Sequence, residues 1–259
     1  MQQAGQRFQD KVVIVTGSGG GIGLEVAKHF AKEGAKIVTN GRTLEHAVAA
    51  AEEIRAAGGD ASAVEADVRT WAGARQLVDG AITAFGGVDV LVNNAGISMI
   101  ARADELDPEE WERAIATNLS GPYFCSRAVF PSMKARGGGV IVNIGSVTAH
   151  VGFPLRAAYC TAKHGLVGLT KVLALDWVDD GIRVLQVDPA YIKTPLDVGD
   201  QATAGYDDAA IEGRTPMRRF GTVAEVAQTV LLAASSEASY MTGSCLLVDG
   251  GWVADGYLQ

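Results

Sequence analysis

Short runs of β-branched and aliphatic residues alternate along this chain with longer amphipathic or alanine-rich segments. The short runs predict strands at 11–16, 36–40, 61–66, 88–92, 140–144, 182–187 and 245–248. The longer segments predict helices at 22–33, 44–57, 71–85, 108–135, 157–179 and 222–234. Strands separated by helices of this length imply right-handed crossovers. The pattern therefore predicts a doubly wound α/β fold, with a parallel sheet of about seven strands and helices on both faces.

No repeat, low-complexity tract or linker divides the 259 residues. We therefore expect a single domain that spans residues 1–259. Within the long helical segment at 108–135, Pro122 is expected to bend or interrupt the helix, because proline has no backbone N–H to donate.

Composition narrows the class of protein. The chain is 48% hydrophobic with a formal net charge of -8, which argues against nucleic acid and anionic membrane surfaces as partners. It shows no apolar leader and no apolar run of the ~20 residues needed to cross a bilayer. The three widely separated cysteines, Cys125, Cys160 and Cys245, are typical of reduced thiols and suggest no metal site. We expect a cytoplasmic protein.

A glycine cluster lies between the first predicted strand and the first predicted helix. Residues 16–23 read Thr-Gly-Ser-Gly-Gly-Gly-Ile-Gly, and a T-G-x-x-x-G-x-G pattern fits with Gly17, Gly21 and Gly23. In doubly wound sheets this turn binds a dinucleotide pyrophosphate through amides at the helix N-terminus. The position of the cluster favours a cofactor loop over a merely flexible turn.

Tyr159 and Lys163 are four residues apart in a predicted helix, so their side chains share one face. A free tyrosine has a pKa of about 10. A lysine cation about 4 Å away, at an effective dielectric of ~20, would favour the phenolate by roughly 4 kcal/mol. That neighbour would bring Tyr159 toward the range of a general acid–base catalyst. The alternative is a surface pair without chemistry.

Further motifs decide between these interpretations. The sequence Asn-Asn-Ala-Gly at 93–96 follows the fourth strand, Asn118 lies in the long helix, and Ser146 follows the fifth strand. With the glycine loop and the Tyr159–Lys163 pair, these motifs make the chain resemble the short-chain dehydrogenase/reductase family over essentially its whole length. The resemblance implies a Rossmann-like dinucleotide-binding fold and a catalytic tetrad of Asn118, Ser146, Tyr159 and Lys163.

The resemblance also implies a role for each member of the tetrad. Tyr159 would exchange a proton with the substrate oxygen, and Ser146 would hydrogen-bond that oxygen. Lys163 would lower the pKa of Tyr159 and bind the nicotinamide ribose, while Asn118 would hold a water connecting Lys163 to solvent. Taken alone, Ser146 is better explained as a loop cap and Asn118 as an amide that satisfies the backbone.

Cofactor-binding positions follow from the same resemblance. They are Thr16, Gly17, Ser18, Gly21, Ile22, Gly23, Arg42, Asp67, Val68, Asn94, Ala95, Gly96, Tyr159, Lys163, Pro189, Ile192 and Thr194. Asp67 and Val68 would contact adenine, although a helix-capping Asp67 is the competing explanation. Pro189 and Thr194 match the segment that contacts the nicotinamide.

The residues after the second strand bear on cofactor choice. NAD-preferring relatives carry an acidic residue where Gly41 stands here, and Arg42 follows it, a guanidinium suited to phosphate. We therefore predict NADP(H) over NAD(H). Arg42 as a solvated residue at a helix start remains the alternative, and Ser18 is not the second basic residue of some NADP-using relatives.

Substrate contacts are predicted at Ser146, His150, Phe153 and Tyr191. The polar tract at about 195–217 corresponds to the segment where relatives keep a mobile substrate lid. The tail at 252–259 contains Trp252 and Tyr257, which would pack over a pocket or against a neighbouring subunit. The resemblance implies a homotetramer.

The leading functional prediction is an NADP(H)-preferring oxidoreductase that interconverts a small-molecule secondary alcohol and a ketone. One alternative is a reductase of 3-oxoacyl thioesters, whose acidic carrier would need a basic patch. Candidates for that patch are Arg127, Lys134, Arg136 and Lys171. A second alternative is an NAD-dependent sugar or polyol dehydrogenase, and a third is a non-enzymatic module that senses the cofactor ratio.

Overall fold

The computed structural model describes residues 6–255, apart from the side chains of Pro195, Leu196 and Ala204. Seven parallel strands form one sheet in the order β3-β2-β1-β4-β5-β6-β7. The strands are β1 Val12–Val15, β2 Lys36–Gly41, β3 Asp60–Glu65, β4 Val90–Asn93, β5 Gly139–Ile144, β6 Ile182–Pro189 and β7 Cys245–Val248. The predicted doubly wound α/β fold is confirmed.

Helices cover both faces of the sheet. They are α1 Gly21–Lys32, α2 Leu44–Ala56, α3 Trp71–Phe85, α4 Pro108–Ile115, α5 Gly121–Ala135, α6 Ala157–Asp176, α7 Pro195–Ala204, α8 Asp208–Arg214 and α9 Val223–Ala234. Val13 and Val15 of β1 pack in a buried cluster with α1 and α9. Val12 and Ile14 point the other way, into a second cluster with α3 and α5. Both faces of the strand are therefore buried, which explains its unbroken apolar sequence.

Pro122 interrupts the long predicted helix, as expected. A π-helical turn, Ala116–Ser120, separates α4 from α5, and Pro122 lies in the first turn of α5. Because proline has no N–H, the carbonyl one turn before it receives no normal helical hydrogen bond, and the wider turn accommodates the defect. Asn118 lies within this π-helical turn.

The segment at 195–217 contains two short helices that the sequence reasoning missed. Thr194 caps α7 by accepting the Asp197 N–H at 3.3 Å, and Asp207 caps α8 by accepting the Ala210 N–H at 2.9 Å. Both capping residues are visible in the sequence, and Thr194 is followed by proline, a common first residue of helices. The helix predicted at 157–179 ends earlier, at Asp176.

The topology brings distant motifs together. The chain moves from β3, at one end of the sheet, back across β1 to β4, so β1 lies where the strand order reverses. In parallel sheets ligands bind in the crevice outside the carboxyl ends of the strands at such a point. Among the helices of residues 6–255, none is both long and apolar enough to cross a membrane.

Candidate active site

A cavity of about 750 Å³ lies at the carboxyl ends of the strands. Most of the predicted site residues line it. They are Gly17, Gly21, Ile22, Gly23, Arg42, Asp67, Val68, Asn94, Ala95, Gly96, Ser146, Phe153, Tyr159, Lys163, Pro189, Tyr191, Ile192 and Thr194. Four predicted residues do not line it: Thr16, Ser18, Asn118 and His150.

The glycine loop opens the N-terminus of α1 to this cavity. Gly20 precedes the helix and offers no side chain to cap it, whereas Thr70 caps α3 by accepting the Gly73 N–H at 3.0 Å. The first amides of a helix have no intrahelical acceptor, so those of α1 are free to bind an anion. A glycine-lined, uncapped helix end fits the pyrophosphate of a dinucleotide.

Thr16 and Ser18 support the loop from behind. Thr16 Oγ1 accepts the backbone N–H groups of Asn94 and Ala95 at 2.9 and 3.0 Å. Ser18 is fully buried, and its Oγ accepts the Asn40 N–H at 2.9 Å. Both side chains accept hydrogen bonds from backbone amides, and the prediction that the two residues bind cofactor stays a prediction.

Close packing requires glycine at two loop positions. Gly17 has a φ of 61°, and a Cβ there would lie 2.9 Å from Ala95 Cα. A Cβ at Gly23 would lie 2.7 Å from the Gly17 carbonyl oxygen. Asn94 Nδ2 holds this part of the loop by donating to the carbonyls of Thr16 and Gly17 at 2.9 and 3.1 Å. The Asn-Asn-Ala-Gly motif therefore holds the glycine loop in place.

Arg42 and Asp67 line the part of the cavity near the ends of β2 and β3. Arg69 Nε donates to both oxygens of the Asp67 carboxylate, to Oδ1 at 2.9 Å and to Oδ2 at 3.0 Å. These hydrogen bonds hold the pKa of Asp67 below its usual range. Thr70 is the residue that caps α3, so Asp67 is not the helix cap. Sequence reasoning missed Arg69 and His46 on this wall, although Arg69 is only two residues from Asp67.

Ser146 and Tyr159 meet on the cavity wall. Burial raises the pKa of the Tyr159 phenol to about 12, and a hydrogen bond with the Ser146 side chain acts in the opposite direction. Ser146 Oγ also accepts the Thr148 N–H at 3.2 Å, at the start of a short 3-10 turn. The hydroxyl of Ser146 is thus both a loop cap and a partner of the tyrosine.

The ammonium of Lys163 lies over the ring of Tyr159. The Lys163 side chain is buried, with Nζ 5.5 Å from the ring centroid of Tyr159 and donating to the Ile144 carbonyl at 2.7 Å. Burial lowers the pKa of Lys163 to about 8, and the charge of Asp188 opposes that shift. Burial is the largest influence on the pKa of Tyr159 and raises it, and the expectation that Lys163 lowers this pKa stays a prediction.

Asn118 is buried in the π-helical turn. Its Oδ1 accepts the Ile97 N–H at 3.1 Å, and its Nδ2 donates to the carbonyls of Ile97 and Ala114, both at 3.0 Å. The side chain therefore ties the loop after β4 to the interrupted helix, which is the backbone-satisfying role. The water-holding role implied by the resemblance stays a prediction.

His150 points away from the cavity. Its Nε2 donates to Asp188 Oδ2 at 2.7 Å, and Asp188 is fully buried. The other oxygen, Oδ1, accepts the backbone N–H of Ser146 at 3.0 Å and Gln186 Nε2 at 2.7 Å. The structure thus gives His150 a place behind the serine loop, off the wall where substrate contact was predicted.

An aromatic wall closes the cavity near Phe153 and Tyr191. Trp252 stacks on Phe153 with ring centroids 6.1 Å apart and contacts Tyr191 at 5.0 Å. The start of the tail therefore packs through Trp252 against two residues that line the cavity, although Trp252 itself does not line it. Tyr257 lies outside the described residues.

Sequence reasoning also missed the charged part of this wall. Arg156 immediately precedes α6, and its Nη1 donates to Asp200 Oδ2 of α7 at 2.8 Å. Both residues line the cavity. The signal available in the sequence was the position of Arg156, three residues before Tyr159.

A glycine loop at the crossover of a parallel sheet, with a serine, a tyrosine and a buried lysine at the same edge, defines an NAD(P)-dependent oxidoreductase. A model of the short chain dehydrogenase family matches residues 11–204. The chain belongs to this family and is an oxidoreductase that acts on CH–OH groups with NAD or NADP as acceptor.

Two relatives and one solved structure illustrate the similarity. The cyclohexanol dehydrogenase of Acinetobacter sp. is 37% identical over 249 residues, covering 96% of this chain and 97% of that protein. The D-threitol dehydrogenase of Mycolicibacterium smegmatis is 36% identical over 249 residues, covering 95% and 94%. The gluconate 5-dehydrogenase of Burkholderia cenocepacia, in complex with NADP and tartrate, has a TM-score of 0.91 and 35% identity, covering 98% and 100%.

Proposed function

We propose that this chain interconverts a secondary alcohol and a ketone, with NADP(H) as the preferred cofactor and Tyr159 as general acid and base. The observation that carries the proposal is a single cavity lined by Ser146, Tyr159, Lys163 and the glycine loop. One continuous space of about 750 Å³ would bring a cofactor and a small substrate against the same groups.

Bound NADP(H) supplies or accepts the hydride. Tyr159 gives its proton to the carbonyl oxygen on reduction and takes one from the alcohol on oxidation. With its pKa raised to about 12, the phenol is protonated at neutral pH, which suits the reducing direction. Ser146, already hydrogen-bonded to Tyr159, fixes the same substrate oxygen.

Lys163 and Asn118 complete the proposed tetrad. We assign the ammonium of Lys163 to the ribose hydroxyls of the cofactor and to proton exchange behind Tyr159. A lysine with a pKa of about 8 can lose and regain a proton near neutral pH. Asn118 holds the backbone of Ile97 in the loop after β4, and so keeps that wall in register with the reacting groups.

The preference for NADP(H) is supported by the charges near the end of β2. Gly41 stands where an acidic residue would repel a 2′-phosphate, and Arg42 lines the cavity beside it. The nearby carboxylate of Asp67 is held by Arg69, so its charge is balanced. The Burkholderia cenocepacia structure contains NADP, which supports the same choice.

Two measurements on the purified protein test the proposal. Titration with NADPH and NADH should show at least about tenfold tighter binding of NADPH, since a charge-assisted phosphate contact has that order of strength. Tyr159→Phe should keep NADPH binding and lose about 100-fold or more of the turnover of a ketone such as cyclohexanone or 1,3-dihydroxybutan-2-one. Tyr123→Phe, on an exposed tyrosine of α5, is the matched control.

The cofactor preference and the catalytic role of Tyr159 can fail independently in these two measurements. Equal affinity for the two cofactors would contradict the NADP(H) preference, and tighter binding of NADH would favour the NAD-linked polyol dehydrogenase. Unchanged turnover in Tyr159→Phe would remove the tyrosine from its catalytic role.

The basic patch needed by a thioester reductase finds little support. Lys134 pairs with Asp180 at 2.8 Å and Arg136 with Asp89 at 2.9 Å. Arg127 lies over the ring of Trp71. None of the candidate patch residues lines the cavity, so a thioester reductase ranks below an enzyme with a small-molecule substrate.

The homotetramer and the cytoplasmic location stay predictions. Exposed apolar side chains at the end of α6, Val172 and Leu175, support subunit contact through that helix, because Leu175 leaves 75% of its surface exposed. Light scattering on the purified protein would give the oligomeric state.

A further inference from the structure

Arg156 holds unused hydrogen-bond donors next to the reacting groups. Its side chain is only 11% exposed and lines the same cavity as Tyr159. Nη1 is occupied, because it donates to Asp200 Oδ2 at 2.8 Å and to Ser98 Oγ. Within residues 6–255, no protein group accepts from Nε or Nη2 of this guanidinium. One edge of the arginine fork is therefore available to a ligand.

The positive charge of Arg156 influences the pKa values of three tyrosines near the cavity. It lowers the pKa of Tyr159, Tyr191 and Tyr206, in each case against a larger raising effect of burial. The guanidinium thus acts on the general acid and on the aromatic wall at once. A group bound to Arg156 would lie in the same cavity as a substrate oxygen held by Tyr159 and Ser146.

The free edge of the guanidinium indicates the chemistry of its ligand. Nε–H and Nη2–H are parallel donors whose spacing matches the two oxygens of a carboxylate. Arg113 also lines the cavity, but it is exposed and paired with Glu110 at 3.0 Å. Arg156 is therefore the better anchor for a carboxylate near Tyr159.

We propose that Arg156 binds the carboxylate of the substrate through Nε and Nη2, and that the enzyme acts on hydroxy acids and the corresponding keto acids. This inference rests on the proposed alcohol–ketone function, whose substrate class it specifies. Arg156 Nη1 continues to donate to Asp200, so α7 stays joined to the start of α6 while Nε and Nη2 of Arg156 bind the substrate. Arg156 acts as a specificity residue, and the proton still passes through Tyr159.

Matched pairs of compounds test the inference. 3-Hydroxybutyrate pairs with butane-1,3-diol, and gluconate with sorbitol, so that each acid is compared with a neutral alcohol. The wild-type protein should oxidise at least one acid with a kcat/KM at least about tenfold above its neutral partner. Arg156→Gln should lower kcat/KM for that acid by about 10- to 100-fold, mainly through KM, and should lower kcat/KM for the neutral partner at least about threefold less than for the acid.

Two further variants sharpen the comparison. Arg156→Lys keeps the charge without the parallel donors and should recover only part of the affinity for the acid. Arg113→Gln removes the other arginine of the cavity and should leave the acid preference intact. Circular dichroism of each variant confirms that the fold survives.

A binding measurement separates this inference from the proposed function. Calorimetry with tartrate and 3-hydroxybutyrate, added to the protein with NADP⁺, should show binding that Arg156→Gln loses and Tyr159→Phe keeps. If wild type binds acids in this way but turns over no alcohol, the proposed function fails and the carboxylate site stands. If no acid of the panel binds, or if the binding survives Arg156→Gln, the carboxylate site is overturned.

Discussion

His150 donates to Asp188 at 2.7 Å, and the same carboxylate accepts the backbone N–H of Ser146 at 3.0 Å. His150 and Asp188 are 38 positions apart in the chain. Asp188 is fully buried and also receives Gln186 Nε2 at 2.7 Å. A single carboxylate therefore fixes the loop that carries the proposed catalytic serine.

Removal of this carboxylate should weaken both the fold and the site. Asp188→Ala leaves the Ser146 amide, Gln186 and His150 without their acceptor, and we expect a loss of about 2–4 kcal/mol in the free energy of unfolding. Turnover should fall as well, because Ser146 is no longer held. Urea denaturation measures the first effect and steady-state kinetics the second.

Asp188→Asn is the matched control. Its side-chain oxygen can still accept from Ser146 and Gln186, so the cost should stay within about 1 kcal/mol. Equal losses in the alanine and asparagine variants would show that the charge of Asp188, rather than its hydrogen bonds to Ser146 and Gln186, stabilises the loop.

Gly145 packs against the same carboxylate. A Cβ at this position would overlap Asp188 Oδ1 and Gln186 Nε2, whereas a Cβ at Gly152 in the following loop would meet nothing within 4 Å. Gly145→Ala should therefore cost about 1–3 kcal/mol of stability and reduce kcat, since the serine loop must move. Gly152→Ala should leave both quantities near wild type, and an equal effect of the two substitutions would exclude the packing explanation.

Comparison of sequence and structure shows which features are local. The strands and both helical layers were predictable, because apolar runs and helical periods are properties of neighbouring residues. The meeting of Ser146 and Tyr159 was predictable from the resemblance, and the carboxyl ends of parallel strands share one edge.

Features that depend on distant contacts were not predictable. His150 was expected to contact substrate because nothing in its own segment indicates Asp188 as a partner. The pKa of Tyr159 was predicted from one neighbour, whereas the folded chain buries the phenol and raises the pKa instead. The Arg156–Asp200 pair joins residues 44 positions apart, so it forms only once the folded chain brings α7 next to the start of α6.

Arg42 should discriminate between the two cofactors. Arg42→Ala removes the guanidinium next to Gly41, and we expect NADPH binding to weaken by about 10- to 100-fold while NADH binding changes little. Fluorescence titration of both cofactors measures the difference. Arg75→Ala, on an exposed arginine of α3 outside the cavity lining, is the control. A parallel loss of both affinities would make Arg42 a general support of the loop.

Lys163 should give the protein a distinct pH dependence of stability. Its pKa is 10.5 in an unperturbed chain and about 8 in the folded one, where burial disfavours the charge. Between these values the unfolded chain binds more protons, so the free energy of unfolding rises with pH. The full effect corresponds to about 3 kcal/mol. Tyr159 opposes it only above pH 10, where the unfolded phenol ionises and the folded one does not.

The measurement compares wild type with Lys163→Met, which keeps most of the side-chain volume and removes the titrating group. Urea denaturation at pH 7.5 and pH 9.5 should show wild type gaining roughly 2 kcal/mol relative to the variant as the pH rises. Subtracting the free energy of unfolding of the variant from that of wild type at each pH cancels the titration of all groups that the two proteins share. A difference that does not change with pH would mean that Lys163 keeps an ordinary pKa, and its proposed part in proton exchange would then lose its physical basis.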